Sequence, residues 1–124
     1  MDIQDALIAF DALSQETRLK VFRLLVQHGR EGAPAGLLSK QLGIPHNTLS
    51  FHLAHMNNAE LILSRKEGRS VIYTVNFIVF QDLLRFMVDD CCSKNVASTR
   101  NSKTDGLSAV IELAEVEKRS KRWH

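Results

Sequence analysis

Residues 37–53 read LLSKQLGIPHNTLSFHL, and the spacing within this stretch decides the fold. The run from Leu38 to Leu42 has the spacing of a short helix, and Gly43 stops it, because glycine enters a left-handed helix end without strain. A second helix over residues 46–58 sets Leu49, Leu53 and Met56 on one face and leaves His46, Asn47, Ser50 and Phe51 largely outside it. Ser39 is small where the two helices cross. This is a helix-turn-helix, in which the first helix buttresses the second and the second presents its amino-terminal residues to the major groove of DNA.

Working upstream, Pro34 suits the first turn of the helix that follows the loop GREGAP. Before that loop, Ser14 is placed to cap a helix whose Leu19, Val21, Phe22, Leu24, Leu25 and Val26 spread apolar surface over much of its circumference until Gly29. That helix is expected at the centre. Ile3, Ala6, Leu7, Phe10 and Leu13 give a first helix with one narrow apolar stripe that needs a partner surface.

Downstream the period changes to two: Val71, Tyr73 and Val75 alternate against Ser70 and Thr74, with Glu67-Gly68 supplying the turn of a hairpin. Asn76 can cap a last core helix striped by Phe80, Leu83, Leu84, Met87 and Val88. The expected fold is mainly α with a small β-hairpin, a winged helix-turn-helix. Residues 1–92 form its single domain, and 93–124 follow as a polar linker and a tail, either a short amphipathic helix or disordered.

Composition agrees with one compact domain: 124 residues, 44% hydrophobic and 24% charged, as in ordinary globular proteins. No apolar run reaches the roughly 18 residues of a membrane span, and the acidic, amphipathic start is no signal peptide, so a cytoplasmic location is expected. A net charge of +2 identifies no partner, and the placement of the bases must carry that inference. Chemistry of the enzymatic kind is not expected: no nucleophile stands with its base, no glycine loop cradles a phosphate, and no carboxylates converge.

On helix-turn-helix geometry Asn47 is the candidate for bidentate contact with adenine, while His46, Thr48 and Ser50 donate or accept and Phe51 packs on a thymine methyl. Arg65, Lys66 and Arg69 at the hairpin would lie beside phosphates or reach a minor groove, giving salt-dependent affinity with little base reading. Each has an ordinary alternative: polar residues cap helices and coat surfaces, and a basic hairpin tip keeps an edge strand from aggregating. His52 and His55, three apart, are expected to be a packing and a surface residue, since zinc wants three or four donors.

The phrases FDALSQETRLKVFRLLV, LGIPHNTLSFHL and NNAELILSRKEGRSVIYTV, with the closing helix, resemble the ArsR/SmtB family of bacterial winged-helix repressors over residues 3–92. The resemblance implies a homodimer packed through its first and last helices across a two-fold axis, bound to an inverted repeat of operator DNA until an effector releases it. Residues beyond 100 lie outside the shared pattern.

The two cysteines, Cys91 and Cys92, are adjacent. Neighbouring residues sit about 3.8 Å apart, against roughly 4.4 to 6.8 Å between the Cα atoms of an ordinary disulfide, which disfavours a bridge. The resemblance implies a different use. The helix AGLLSKQLG lacks the Cys-x-Cys pair of arsenite and cadmium sensors, and the last helix lacks the histidines of zinc and nickel sensors. The DCC at its end resembles an arsenic-responsive subgroup with a Cys-Cys pair at that place. Ser98 stands near where a third cysteine falls in three-thiol members. Two soft thiolates then match an organoarsenical such as monomethyl arsenite, which has two positions to fill, better than inorganic arsenite, which has three. No cofactor is expected beyond that effector. Three alternatives stay open: the thiols are core packing, or they sense oxidation or another soft metal, or the fold serves as a protein interaction module. Asp89 and Asp90 weigh against oxidation sensing, because they favour the protonated thiol.

Overall fold

The computed structural model describes residues 1–89 and 106–120, in two compact units, Met1–Gln81 and Asp82–His124, each taken by itself. Helix α1 (Ile3–Leu13) opens with a capping box: the Asp2 carboxylate accepts from the Asp5 amide at 2.8 Å and the Asp5 carboxylate from the Asp2 amide at 3.3 Å. Its buried face is Ala6, Ala9 and Ala12, whereas Ile3, Leu7 and Phe10 of the expected stripe face solvent. Alanine lets the α1 backbone approach its neighbours closely, which turns the bulkier side chains outward.

Helix α2 (Glu16–His28) is capped by Gln15 and not by the expected Ser14. Only two residues separate the helices, and Ser14 is used to end α1, its amide donating to Asp11, while the Gln15 side chain accepts from the Arg18 amide at 2.9 Å. Val21, Phe22 and Leu25 are buried, and Leu19 is not. A single 3-10 turn (Gly29–Glu31) leads to β1 (Ala33–Pro34), a strand the sequence reading lacked. β1 pairs Ala33 with Tyr73 and Pro34 with Ile72, giving a three-stranded antiparallel sheet in the order β1-β3-β2. Pro34 is therefore the last residue before α3 and sits on an edge strand, where a missing N–H costs little. Gly32 has φ 69°, and a Cβ there would collide with the Tyr73 carbonyl.

Helices α3 (Ala35–Leu42) and α4 (His46–Asn58) form the helix-turn-helix. Gly43 ends α3 in the left-handed region at φ 65°, ψ 34°, and the Ser39 hydroxyl donates to the Ile44 carbonyl across the turn. Leu38, Leu49, Leu53 and Met56 are fully buried, each contributing roughly 1.5–3 kcal/mol by leaving water. α4 closes with the Leu61 amide on the Met56 carbonyl and the Glu60 amide on the Asn57 carbonyl, both at 3.0 Å. That closure puts Glu60 at φ 61°, the one non-glycine in the left-handed region among the described residues.

Strands β2 (Ile62–Glu67) and β3 (Ser70–Val75) make the wing. Glu67 pairs with Ser70, so the turn is Gly68-Arg69, one residue later than expected. The expected alternation also fails, because Val71 is exposed and burial grows only toward Ile62 and Val75 at the base. Toward its tip the hairpin is exposed on both faces. Asn76 spans two elements: its Nδ2 donates to the Glu60 carbonyl at 3.0 Å and its Oδ1 accepts from the Val79 amide at 3.3 Å, capping α5 (Phe77–Val88). In α5 Phe80 meets Phe22 edge-on at 5.1 Å and Leu83 is buried, while Leu84 and Met87 of the expected stripe are exposed. In the second unit α6 covers Gly106–Ser120.

Candidate nucleic-acid interface

The first turn of α4 starts from Pro45, with the Leu49 amide donating to the Pro45 carbonyl at 2.9 Å. Because Leu49 is fully buried, the residues around it on the helical wheel, His46, Asn47, Thr48, Ser50 and Phe51, all face solvent. Phe51 is 67% exposed, which leaves its ring open to a partner surface. The Asn47 Oδ1 accepts from the Thr48 amide at 2.9 Å, which fixes the side chain at the helix start and leaves its NH2 outward. Reading an adenine with both ends would require that oxygen to share or exchange its donor.

The three wing cations differ in kind. All three nitrogens of the Arg65 guanidinium are engaged: Nε donates to the Glu67 carboxylate at 2.7 Å, and the two others donate to the Arg30 carbonyl at 3.2 Å and the Glu31 carbonyl at 2.7 Å. Arg65 thus ties β2 to the 3-10 turn after α2. Lys66 and Arg69 are exposed and make no ion pair among the described residues.

His52 and His55 do not converge as metal ligands. His52, 9% exposed, lies on the apolar face of α4, and its Nδ1 stands 3.3 Å from Nη1 of Arg18. Burial first, then the positive charges of Arg18 and His55, hold the His52 pKa below its ordinary value. His55, half-buried, is 3.9 Å from the Asp11 carboxylate. No three His, Cys, Asp or Glu side chains gather as a metal site among the described residues. Between α1 and α4 an open groove of about 540 Å3 is lined by Leu7, Ile8, Asp11, Phe51 and His55, with Ala54, Asn58 and Ala59. Cys91, Cys92 and Ser98 lie outside the described residues.

The sequence missed the role of Arg65 because nothing local shows that two carbonyls from 34 and 35 residues away come within reach. It also missed the Arg18–His52 contact. Its one signal was a histidine in register with Leu49 and Met56 on an otherwise apolar face.

A buttressed helix with a polar outer face beside a basic two-stranded wing defines a winged helix-turn-helix, the architecture of DNA-binding transcriptional regulators. A helix-turn-helix domain model matches residues 13–65. The transcriptional repressor SdpR of Bacillus subtilis is 31% identical over 80 residues, 64% of this chain and 86% of that protein. The chain belongs to the ArsR family of winged helix-turn-helix transcriptional regulators. An ArsR-like transcriptional regulator from Rhodococcus sp. RHA1 superposes with a TM-score of 0.61 at 26% identity, over 68% of this chain and 76% of that one. The transcriptional activator HlyU of Vibrio cholerae is 27% identical over 90 residues, 73% of this chain and 81% of HlyU. The structure of its reduced form superposes with a TM-score of 0.53, over 68% of this chain and 88% of that one.

Proposed function

We propose that the protein is a homodimeric repressor, cytoplasmic and non-enzymatic, that holds an inverted-repeat operator through α4 and the wing and leaves it when Cys91 and Cys92 bind a trivalent arsenical. The observation that carries the DNA reading is the outer face of α4, where five exposed side chains surround a fully buried Leu49. His46, Asn47, Thr48, Ser50 and Phe51 read base edges, and Lys66 and Arg69 neutralise phosphates. Arg65, with three of its N–H donors engaged within the protein, acts chiefly by holding the wing in place. Pairing through α1 and α5 would cover Leu7, 52% exposed, and Met87, 61% exposed, surfaces that a lone chain leaves in water. On this reading residues 1–92 are the functional domain and 93–124 an appendage.

For the effector, the support is the resemblance together with the donor count: two adjacent thiols fill both open positions of a monomethyl or phenyl arsenical. No further cofactor is required. The deciding experiment is a gel shift with duplex from the gene's own promoter and with random duplex, across a salt series. Preference for the promoter, with affinity falling steeply in salt, is the expected result. Absence of binding to either duplex would leave the chain a protein interaction module, and equal, salt-dependent binding to both would leave it a non-specific DNA binder. A second reading is oxidation sensing by the same thiols, favoured by the fact that one HlyU structure is specified as the reduced form. Operator release by peroxide in the absence of arsenical would select it.

A further inference from the structure

We infer that Arg18 and His52 form a positioning clamp that sets the pose of α4, so that operator reading requires the clamp to be closed. The inference rests on the DNA reading proposed above. From its place on α2, where its backbone amide donates to the Gln15 side chain, Arg18 reaches two other helices with its guanidinium: Nε donates to the Ala12 carbonyl in the last turn of α1 at 2.6 Å, and Nη1 reaches His52 Nδ1 in the middle of α4 at 3.3 Å. Arginine has no acceptor, so the Nδ1 of His52 must offer a lone pair. The imidazole is therefore neutral, with its proton on Nε2.

Leu49, Leu53 and Met56 fix which face of α4 is inward, but apolar contacts carry little directional preference and tolerate small rotations about the helix axis. A hydrogen bond has a direction. Placed one turn after Thr48, and beside Phe51 whose ring meets the imidazole edge-on at 5.6 Å, it fixes the rotation from which Asn47, Thr48 and Phe51 project. The charged groups around His52 are Arg18 from α2 and His55 from α4 itself, while Asp11 of α1 lies against His55. Protonating His52 would remove the acceptor and set two cations together. Since its pKa is lowered from 6.5, the folded protein resists that proton, and the clamp is intact above pH 6.5 and is lost only as the pH falls through the lowered pKa of the folded state.

The test uses the full chain as wild type, His52→Leu and His52→Asn. Leucine fills an apolar site without an acceptor, whereas the asparagine amide oxygen stands in for Nδ1 and cannot be charged. Expected for His52→Leu is cooperative melting at or near the wild-type temperature, random-duplex affinity within about twofold of wild type, and preference for promoter duplex reduced by about tenfold or more. His52→Asn should restore the preference and make it less sensitive to falling pH than that of wild type, whose preference is lost as the pH drops through the lowered pKa of His52. Undiminished preference in His52→Leu overturns the clamp. If His52→Leu does not fold, a pH profile of His52→Asn that matches wild type overturns it instead. Absence of any promoter preference in wild type is a different result, which removes the DNA reading itself.

Discussion

The Arg65 guanidinium donates to the Glu31 carbonyl at 2.7 Å, joining the wing to the turn that follows α2. The three cations of the hairpin consequently separate by effect. Lys66→Ala and Arg69→Ala should leave thermal stability unchanged and each lower the slope of log affinity against log salt by about 1. Arg65→Ala should lower the melting temperature as well as the affinity, and Arg65→Lys should not repair it, since an ammonium cannot reach both carbonyls and the carboxylate. Equal behaviour of all three in melting and salt titration would refute the distinction.

Asn47→Ala should reduce discrimination between operator and random duplex by roughly 1–3 kcal/mol with little change in random-duplex affinity. Competition binding with both duplexes measures it. An unchanged ratio would move base reading to His46, Thr48, Ser50 or Phe51.

Glu60 closes α4 in a conformation that suits glycine. Glu60→Gly should stabilise the protein by about 0.5–1 kcal/mol, the relief of left-handed strain exceeding the added freedom of the unfolded chain. Denaturant melts check this, and a lower midpoint would mean that the Glu60 side chain has a role of its own.

Leu7→Glu and Met87→Glu should each shift the protein to monomer in light scattering and abolish promoter binding together, because an unpaired carboxylate would enter the proposed interface. Loss of DNA binding with the dimer intact would move the interface elsewhere.

For the thiols, Cys91→Ser and Cys92→Ser should each retain operator binding and lose release, and wild type should be released at lower concentrations of monomethyl or phenyl arsenite than of inorganic arsenite. Ser98→Cys should improve the response to inorganic arsenite by supplying a third sulfur. Normal release of both serine variants would return the pair to core packing.

The helix-turn-helix was legible because its signals are local: Leu38, Gly43, Leu49, Leu53 and Met56 lie within one short stretch and enforce their own periodicity. Asn76 was read as a cap for the same reason. Ala33–Pro34 was not read as a strand, since two residues carry no period and pair only because β3 arrives beside them. Ser14 lost its cap to Gln15 through a competition between two helix ends that propensity does not rank. At the interface the exposed face of α4 followed from helical spacing. The engagements of Arg65 and Arg18 did not, because each depends on carbonyls or rings brought close by tertiary packing.

The alanine face of α1 has a consequence for where stability resides. Three methyl groups remove little area from water, so within one chain the apolar contribution to holding the helix is small and its large side chains stay exposed. In the proposed dimer a second copy would cover them, and ordering of α1 would become partly a bimolecular event. Amide exchange in residues 3–13 then slows as protein concentration rises, and dilution loosens the amino-terminal helix before anything else melts.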